Sequence, residues 1–189
     1  PVRDHGGFVS DVIGDSMLAI WAGTSAHAAG DLCVQACRAA LGIAQAVDRF
    51  NQSSGGPALP TRIGLNAGSM LLGNIGAIDH YEYRAVGDMV NTATRIQGLN
   101  KILRTRILVA RESVTGHGEF LTRDLGVFLL PGKSKPIEVC ELLCARVDAD
   151  AGTQQSCALF AAALADYGQR RWESARAGFS RLLEQNPAD

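Results

Sequence analysis

Residues 9–23 read VSDVIGDSMLAIWAG. The stretch is mostly apolar, yet it holds two carboxylates, Asp11 and Asp15, with Gly14 before the second. Gly-Asp between two apolar runs is a turn signal. The spacing therefore predicts a hairpin, with a strand over 8–13 opened by Gly6 and Gly7 and a returning strand over 17–21. A hairpin turn presents a carboxylate at a sheet's edge without burying it unpaired, and Asp15 sits where it can do so. Asp11 is harder to place, because a carboxylate inside a strand is costly unless it has a partner.

Outward from the hairpin, residues 25–50 carry Leu32, Ala36, Ala39, Ile43, Val47 and Phe50 at helical spacing. The run NQSSGGPALP is a loop. Residues 61–75 read as strand, turn, strand, punctuated by Gly68 and Gly73, and 81–86 alternate as a strand. A helix is expected over 90–103 and a strand over 106–110. A final strand pair, 120–130 and 137–143, is joined at PGKSKP. Hairpins without strict strand-helix-strand alternation indicate an α+β domain with a mixed, mainly antiparallel sheet.

After Val147 the composition changes. DADAGTQQS reads as a polar linker, followed by two helix patterns over 157–169 and 171–185. The expected division is a main domain over 1–147, a linker over 148–156 and a helical hairpin over 157–189. Trp172, Ala175, Phe179, Leu182 and Pro187 are spaced as in the second helix of a tetratricopeptide unit. One such unit cannot bury its own apolar face, so it is expected to pack on the main domain or to begin an array.

The totals exclude several classes. Of the 189 residues, 47% are hydrophobic and 20% charged, the balance of a globular chain. A net charge of -1 gives no reason to expect nucleic acid or an anionic membrane surface. No apolar run approaches the roughly 20 residues a spanning helix needs. The five cysteines show no disulfide-framework spacing and read as reduced and mostly buried, which suits the cytoplasm.

Four blocks then occur in order: GGFVSDVIGDSMLAIWAG, RIGLNAGSMLLGNIG, VGDMVNTATRIQG and LLPGKSKPIEVCEL. Together they resemble the catalytic domain of the class III adenylate/guanylate cyclases, bacterial ones in particular, over residues 6 to about 143. The resemblance implies a ferredoxin-like cyclase fold, a sheet with helices packed on one face, working as a head-to-tail homodimer with sites at the interface. It implies two divalent ions, Mg²⁺ or Mn²⁺, and a nucleoside triphosphate whose ribose 3′-hydroxyl attacks the α-phosphate as pyrophosphate leaves. Two ions held by carboxylates suit an in-line displacement that develops charge at both ends.

By that resemblance Asp15 is a metal ligand. The plain alternative for Asp15 is a turn former. Asn91 and Arg95, four apart on one helix face, orient the ribose and stabilise charge at the α-phosphate. Isolated, they would read as a surface pair. An Arg offers a two-pronged fork to phosphate oxygens, and Asn a donor and an acceptor. Lys133 matches a lysine that reaches the terminal phosphates, with Lys135 able to take the role, although a basic turn is more often merely solvated.

Asp11 matches the position where adenylate cyclases carry a purine-reading Lys and guanylate cyclases a Glu. Its counterpart, Asp or Thr in the former and Cys in the latter, is Arg84. The usual Lys-and-Asp pair thus stands with its charges exchanged. The pair can read adenine, read guanine, or close on itself and read neither.

The family's first metal carboxylate lies on a strand ahead of the hairpin, and no residue of 1–7 replaces it. The chain is expected to be an N-terminally incomplete cyclase domain, inactive by itself, whose parent carries the missing strand and in relatives commonly a sensor or membrane region. The sequence-based expectation is an enzyme making cyclic AMP. A GTP-using cyclase and a cyclase-like nucleotide-binding or regulatory domain without turnover are the alternatives.

Overall fold

The computed structural model of the chain describes residues 1–23, 26–77 and 80–187. The opening stretch is a hairpin of β1 (Phe8–Ile13) and β2 (Ser16–Ile20), antiparallel, with Ile13 opposite Ser16. Gly14 takes φ +62° at the first central position of the turn, where two-residue hairpins of this kind want a glycine. The register shifts between Val9 and Asp11, so Ser10 is the extra residue of a bulge. Bulges re-aim the side chains that follow them. The indole of Trp21 closes the base of the hairpin: its Nε1 donates to the His5 carbonyl at 2.8 Å.

Helix α1 (Ala26–Ser53) follows, then β3 (Ile63–Leu65) and a second hairpin of β4 (Leu71–Ala77) and β5 (His80–Val86). Helix α2 (Asp88–Leu103) leads to β6 (Ile107–Ala110), and β7 (Phe120–Phe128) pairs with β8 (Ile137–Ala145). The central sheet runs β3-β6-β8-β7, with β3 parallel to β6 and the other pairs antiparallel. The two hairpins lean on each other outside it, Phe8 against Tyr83 with ring centroids 6.4 Å apart.

All four residues of β6 are buried, and they serve two cores. Ile107 and Val109 pack with Val34, Cys37, Ala40 and Ala44 of α1, while Leu108 and Ala110 pack with Ile96 of α2. Side chains alternate across a strand, so the two helices cover opposite faces. This corrects the expectation of helices on one face. A strand apolar at every position has two faces to cover.

The polar run expected to be a linker is largely helical. Helix α3 (Ala151–Gly168) starts six residues before the expected 157. Asp150 caps it, accepting from the Thr153 N–H at 2.8 Å and from its hydroxyl at 2.6 Å. Gln154 and Gln155 in its first turns are exposed, and Thr153 and Ser156 are partly covered. Helix α4 (Trp172–Gln185) packs back on α3 through Phe179 against Phe160, 5.4 Å between centroids. A side chain at Gly178 would come within 2.8 Å of the Ala163 methyl, so the helices touch closely there. Helix α3 docks on β7, where Arg123 stacks 5.0 Å above the Phe160 ring while pairing with Glu141 at 2.7 Å. Both charged side chains are nearly covered, at 12% and 11% exposure.

Candidate active site

Helix α2 is the platform. Thr92, Ile96 and Asn100 form its buried row against the sheet. At Gly64 of β3 the helix backbone is so close that a Cβ would lie 2.3 Å from Gln97 N and 2.4 Å from the Ala93 carbonyl. Asn100 Nδ2 donates to the Ile63 carbonyl at 2.9 Å, and its Oδ1 accepts from the Thr105 hydroxyl at 2.9 Å. Near the other end, Asn66 Nδ2 donates to the Met89 carbonyl at 3.1 Å. With α2 fixed at both ends, the adjoining row carries Asn91, exposed, and Arg95, half-buried.

The structure brings Arg95 to the turn that holds Lys133. A Cβ on Gly132 would fall 3.1 Å from Arg95 Nη2, and the φ of +67° at Gly132 is one that favours glycine. Lys133 N–H donates to the Leu130 carbonyl at 3.0 Å, which fixes the turn, and its ammonium donates to Asp88. Lys135 is exposed. Asn91, Arg95 and Lys133 thus converge from two segments on one shelf beside the start of α2. No carboxylate among the described residues pairs with Arg95. Asp88 was missed in the sequence, where it reads only as the acid after Gly87 that suits a helix start. Its partner is 45 residues away along the chain.

The exchanged pair meets. Arg84 Nη2 lies 3.2 Å from Asp11 Oδ2, with Arg84 46% and Asp11 22% exposed. The bulge at Ser10 sets Asp11 opposite Leu18. Arg84 stands opposite Gly73, whose missing side chain leaves open space. Arg84 also lies on the strand that runs through Gly87 directly into α2.

Asp15 lies exposed at the tip of the first hairpin. No group of three or more His, Cys, Asp or Glu among the described residues could hold a metal ion. The described residues do not complete a metal site around Asp15.

The cysteines stand apart from this chemistry. All five are free. Burial pushes the Cys37 thiol up to about 12, with Cys33 and Cys140 adding to it, and the Cys140 thiol up to about 11. These are core side chains, held protonated and unreactive at neutral pH. No helix among the described residues is long and apolar enough to cross a membrane.

The family model described as the adenylate and guanylate cyclase catalytic domain matches residues 6–140, and the chain belongs to that family. It is 32% identical over 149 residues to "Adenylate cyclase 1" of Rhizobium meliloti (strain 1021), an alignment that takes in 75% of this chain. The chain spans 22% of that relative's own length. Among solved structures it is similar to the adenylyl cyclase CyaB from P. aeruginosa, with a TM-score of 0.64 and 23% identity over 79% of this chain and 78% of that one. It is also similar to the guanylate cyclase domain of RhGC from Catenaria anguillulae in complex with GTP, with a TM-score of 0.62 and 23% identity over 77% and 76%. At such identities the likeness is one of fold. The α+β architecture expected from the sequence, mainly antiparallel sheet with packed helices, matches that of these cyclase structures.

Proposed function

We propose that this domain converts ATP to 3′,5′-cyclic AMP and pyrophosphate, at a site shared between two copies of the chain. The observation that carries the reading is the convergence of Arg95 and Lys133, from separate segments, beside Asn91 at the start of α2. The planar guanidinium of Arg95 donates to oxygens of the α-phosphate, where negative charge grows as the ribose 3′-oxygen attacks. Asn91 offers a donor and an acceptor to hold the ribose in line. Lys133 draws the terminal phosphates, which depart together as pyrophosphate. The 3′-hydroxyl proton passes to solvent. Cyclase catalytic domains generally depend on divalent metal, which supplies charge neutralisation along the triphosphate, and Asp15 is the carboxylate this chain offers to such an ion.

A second copy as partner is supported by apolar pairs exposed on each hairpin, Val12 across from Met17 on the first and Leu71 across from Val86 on the second. A cytoplasmic setting is supported by five cysteines that form no disulfide. The choice of ATP rests on relatives named adenylate cyclase. One observation favours a second reading: Asp11 and Arg84 already satisfy each other at 3.2 Å, as they would in a nucleotide-binding or regulatory domain that reads no base and turns nothing over.

The deciding experiment is a cyclase assay with ATP and with GTP, in Mg²⁺ and in Mn²⁺, on the parent protein and on Arg95→Ala. The reading expects cyclic AMP as the main product and a loss of at least about a hundredfold in Arg95→Ala, the usual consequence of removing a transition-state donor. Product formation indifferent to Arg95 would refute the assignment. Nucleotide binding without product from either nucleotide would select the second reading.

A further inference from the structure

The functional reading leaves one charged group of the shelf without a role. Asp88, Asn91 and Arg95 are spaced i, i+3 and i+7, so they lie along one stripe of α2. The stripe that would receive phosphates therefore begins with a carboxylate. That carboxylate is 79% exposed, whereas the Lys133 side chain it engages is 15% exposed. The arrangement is lopsided. The lysine is largely covered with its ammonium committed to Asp88, and the acid stands out in solvent. An anion that is to bind Lys133 must either open this pair or accept a carboxylate as neighbour.

We propose that Asp88 is a positioning residue that guards Lys133, competing with phosphate for the ammonium so that only a polyphosphate opens the pair. This rests on the reading of Lys133 as a phosphate ligand. A single phosphate can sit on Arg95 without needing Lys133. A triphosphate spanning Arg95 and Lys133 brings enough charge to displace the carboxylate, and the pair closes again as pyrophosphate leaves. No covalent step is involved. The acid is placed where the start of a helix favours it, so the guard is held in position with or without ligand.

The test is calorimetric titration of the 189-residue chain with inorganic tripolyphosphate and with ATP. Asp88→Asn is expected to bind tripolyphosphate about two- to fivefold more tightly, the size of a largely exposed ion pair that the ligand no longer has to break. Asp88→Glu, which restores the carboxylate, is expected to return to the wild-type affinity. Asp88→Ser, a second residue suited to a helix start, is expected to show the gain if Asp88→Asn fails to fold. Lys133→Ala should weaken binding and abolish the gain, leaving the double variant no tighter than Lys133→Ala alone. Unchanged or weaker binding by Asp88→Asn, with Lys133→Ala still weakening, overturns the guard and leaves the phosphate reading standing. Affinity unaffected by Lys133→Ala, or no binding by any of the variants, overturns both.

Discussion

Exchanging Asp11 and Arg84 tests whether these two residues act as one unit. At 3.2 Å and an effective dielectric of about 20, the attraction is about 5 kcal/mol before desolvation is counted. Arg84 is nearly half exposed and Asp11 about one-fifth. The pair therefore falls between a surface bridge, at about 0.2–1 kcal/mol, and a buried one, whose disruption costs about 3–5 kcal/mol. A coupling of about 1–2 kcal/mol follows. Asp11→Lys puts two cations together and Arg84→Asp two acids. Each single change loses the attraction and adds a repulsion, so each should destabilise the chain by about 2–4 kcal/mol. The double variant restores opposite charges and should recover to within about 1 kcal/mol of wild type. Urea unfolding of the four proteins measures this cycle. In the parent protein kcat/KM for ATP and for GTP gives a second cycle, where 2 kcal/mol is about thirtyfold. Additive single effects, with no recovery in either readout, would show that the contact does nothing and would refute the reasoning.

Three further outcomes are expected. Gly64→Ala drives a methyl to 2.3 Å from the backbone of α2, so a loss of about 3 kcal/mol or more in urea unfolding is expected together with loss of cyclase activity; unchanged stability would mean that α2 does not sit on β3 as described. Mixing inactive Asp15→Ala and Arg95→Ala forms of the parent should regenerate activity by pairing one intact half-site from each copy, and no recovery despite demonstrated subunit exchange would exclude a shared site. The thiols of Cys37 and Cys140 are raised from 9.0 to about 12 and about 11. The stability they contribute is thus whole below pH 9 and lost as pH rises through that window, which thermal melts at pH 8–11 should show as a falling Tm. A Tm flat across that range would contradict their burial.

The first hairpin was legible because its signals are local: alternation on both sides of a Gly-Asp turn that itself needs the positive φ of Gly14. Strand β6 was legible for the same reason, as a short apolar run. Its pairings were not, because nothing in the run 107–110 says that β3 will lie parallel beside it and β8 antiparallel on the other side. The start of α3 was misread because Thr, Gln and Ser are ordinary linker residues. What makes 151–156 helical is the cap at Asp150 and the docking of the helix on β7. In the site, Asn91 and Arg95 were readable from spacing along one helix. Asp88 was invisible, since its importance lies in meeting a lysine 45 residues on.

The meeting of Asp11 and Arg84 separates what a fold requires from what a ligand requires. The two hairpins need opposite charges at this contact, and Coulomb attraction is the same whichever strand carries the acid. A ligand is not so indifferent. An Asp carboxylate only accepts hydrogen bonds and an Arg guanidinium only donates them. Reversing the pair leaves the contact between β1 and β5 intact while moving the acceptor onto β1 and the donor onto β5. A purine edge presented to this pair must therefore offer its donor to β1 and its acceptor to β5, the opposite of what a Lys-and-Asp pair would ask. The two readouts of the charge-swap cycle should then part. The double variant recovers stability because the attraction is symmetric. Its ratio of kcat/KM for ATP over GTP should nonetheless move away from the wild-type value, because the hydrogen-bond polarity is not. An unchanged ratio in a fully refolded double variant would mean that the pair joins the hairpins without reading the base.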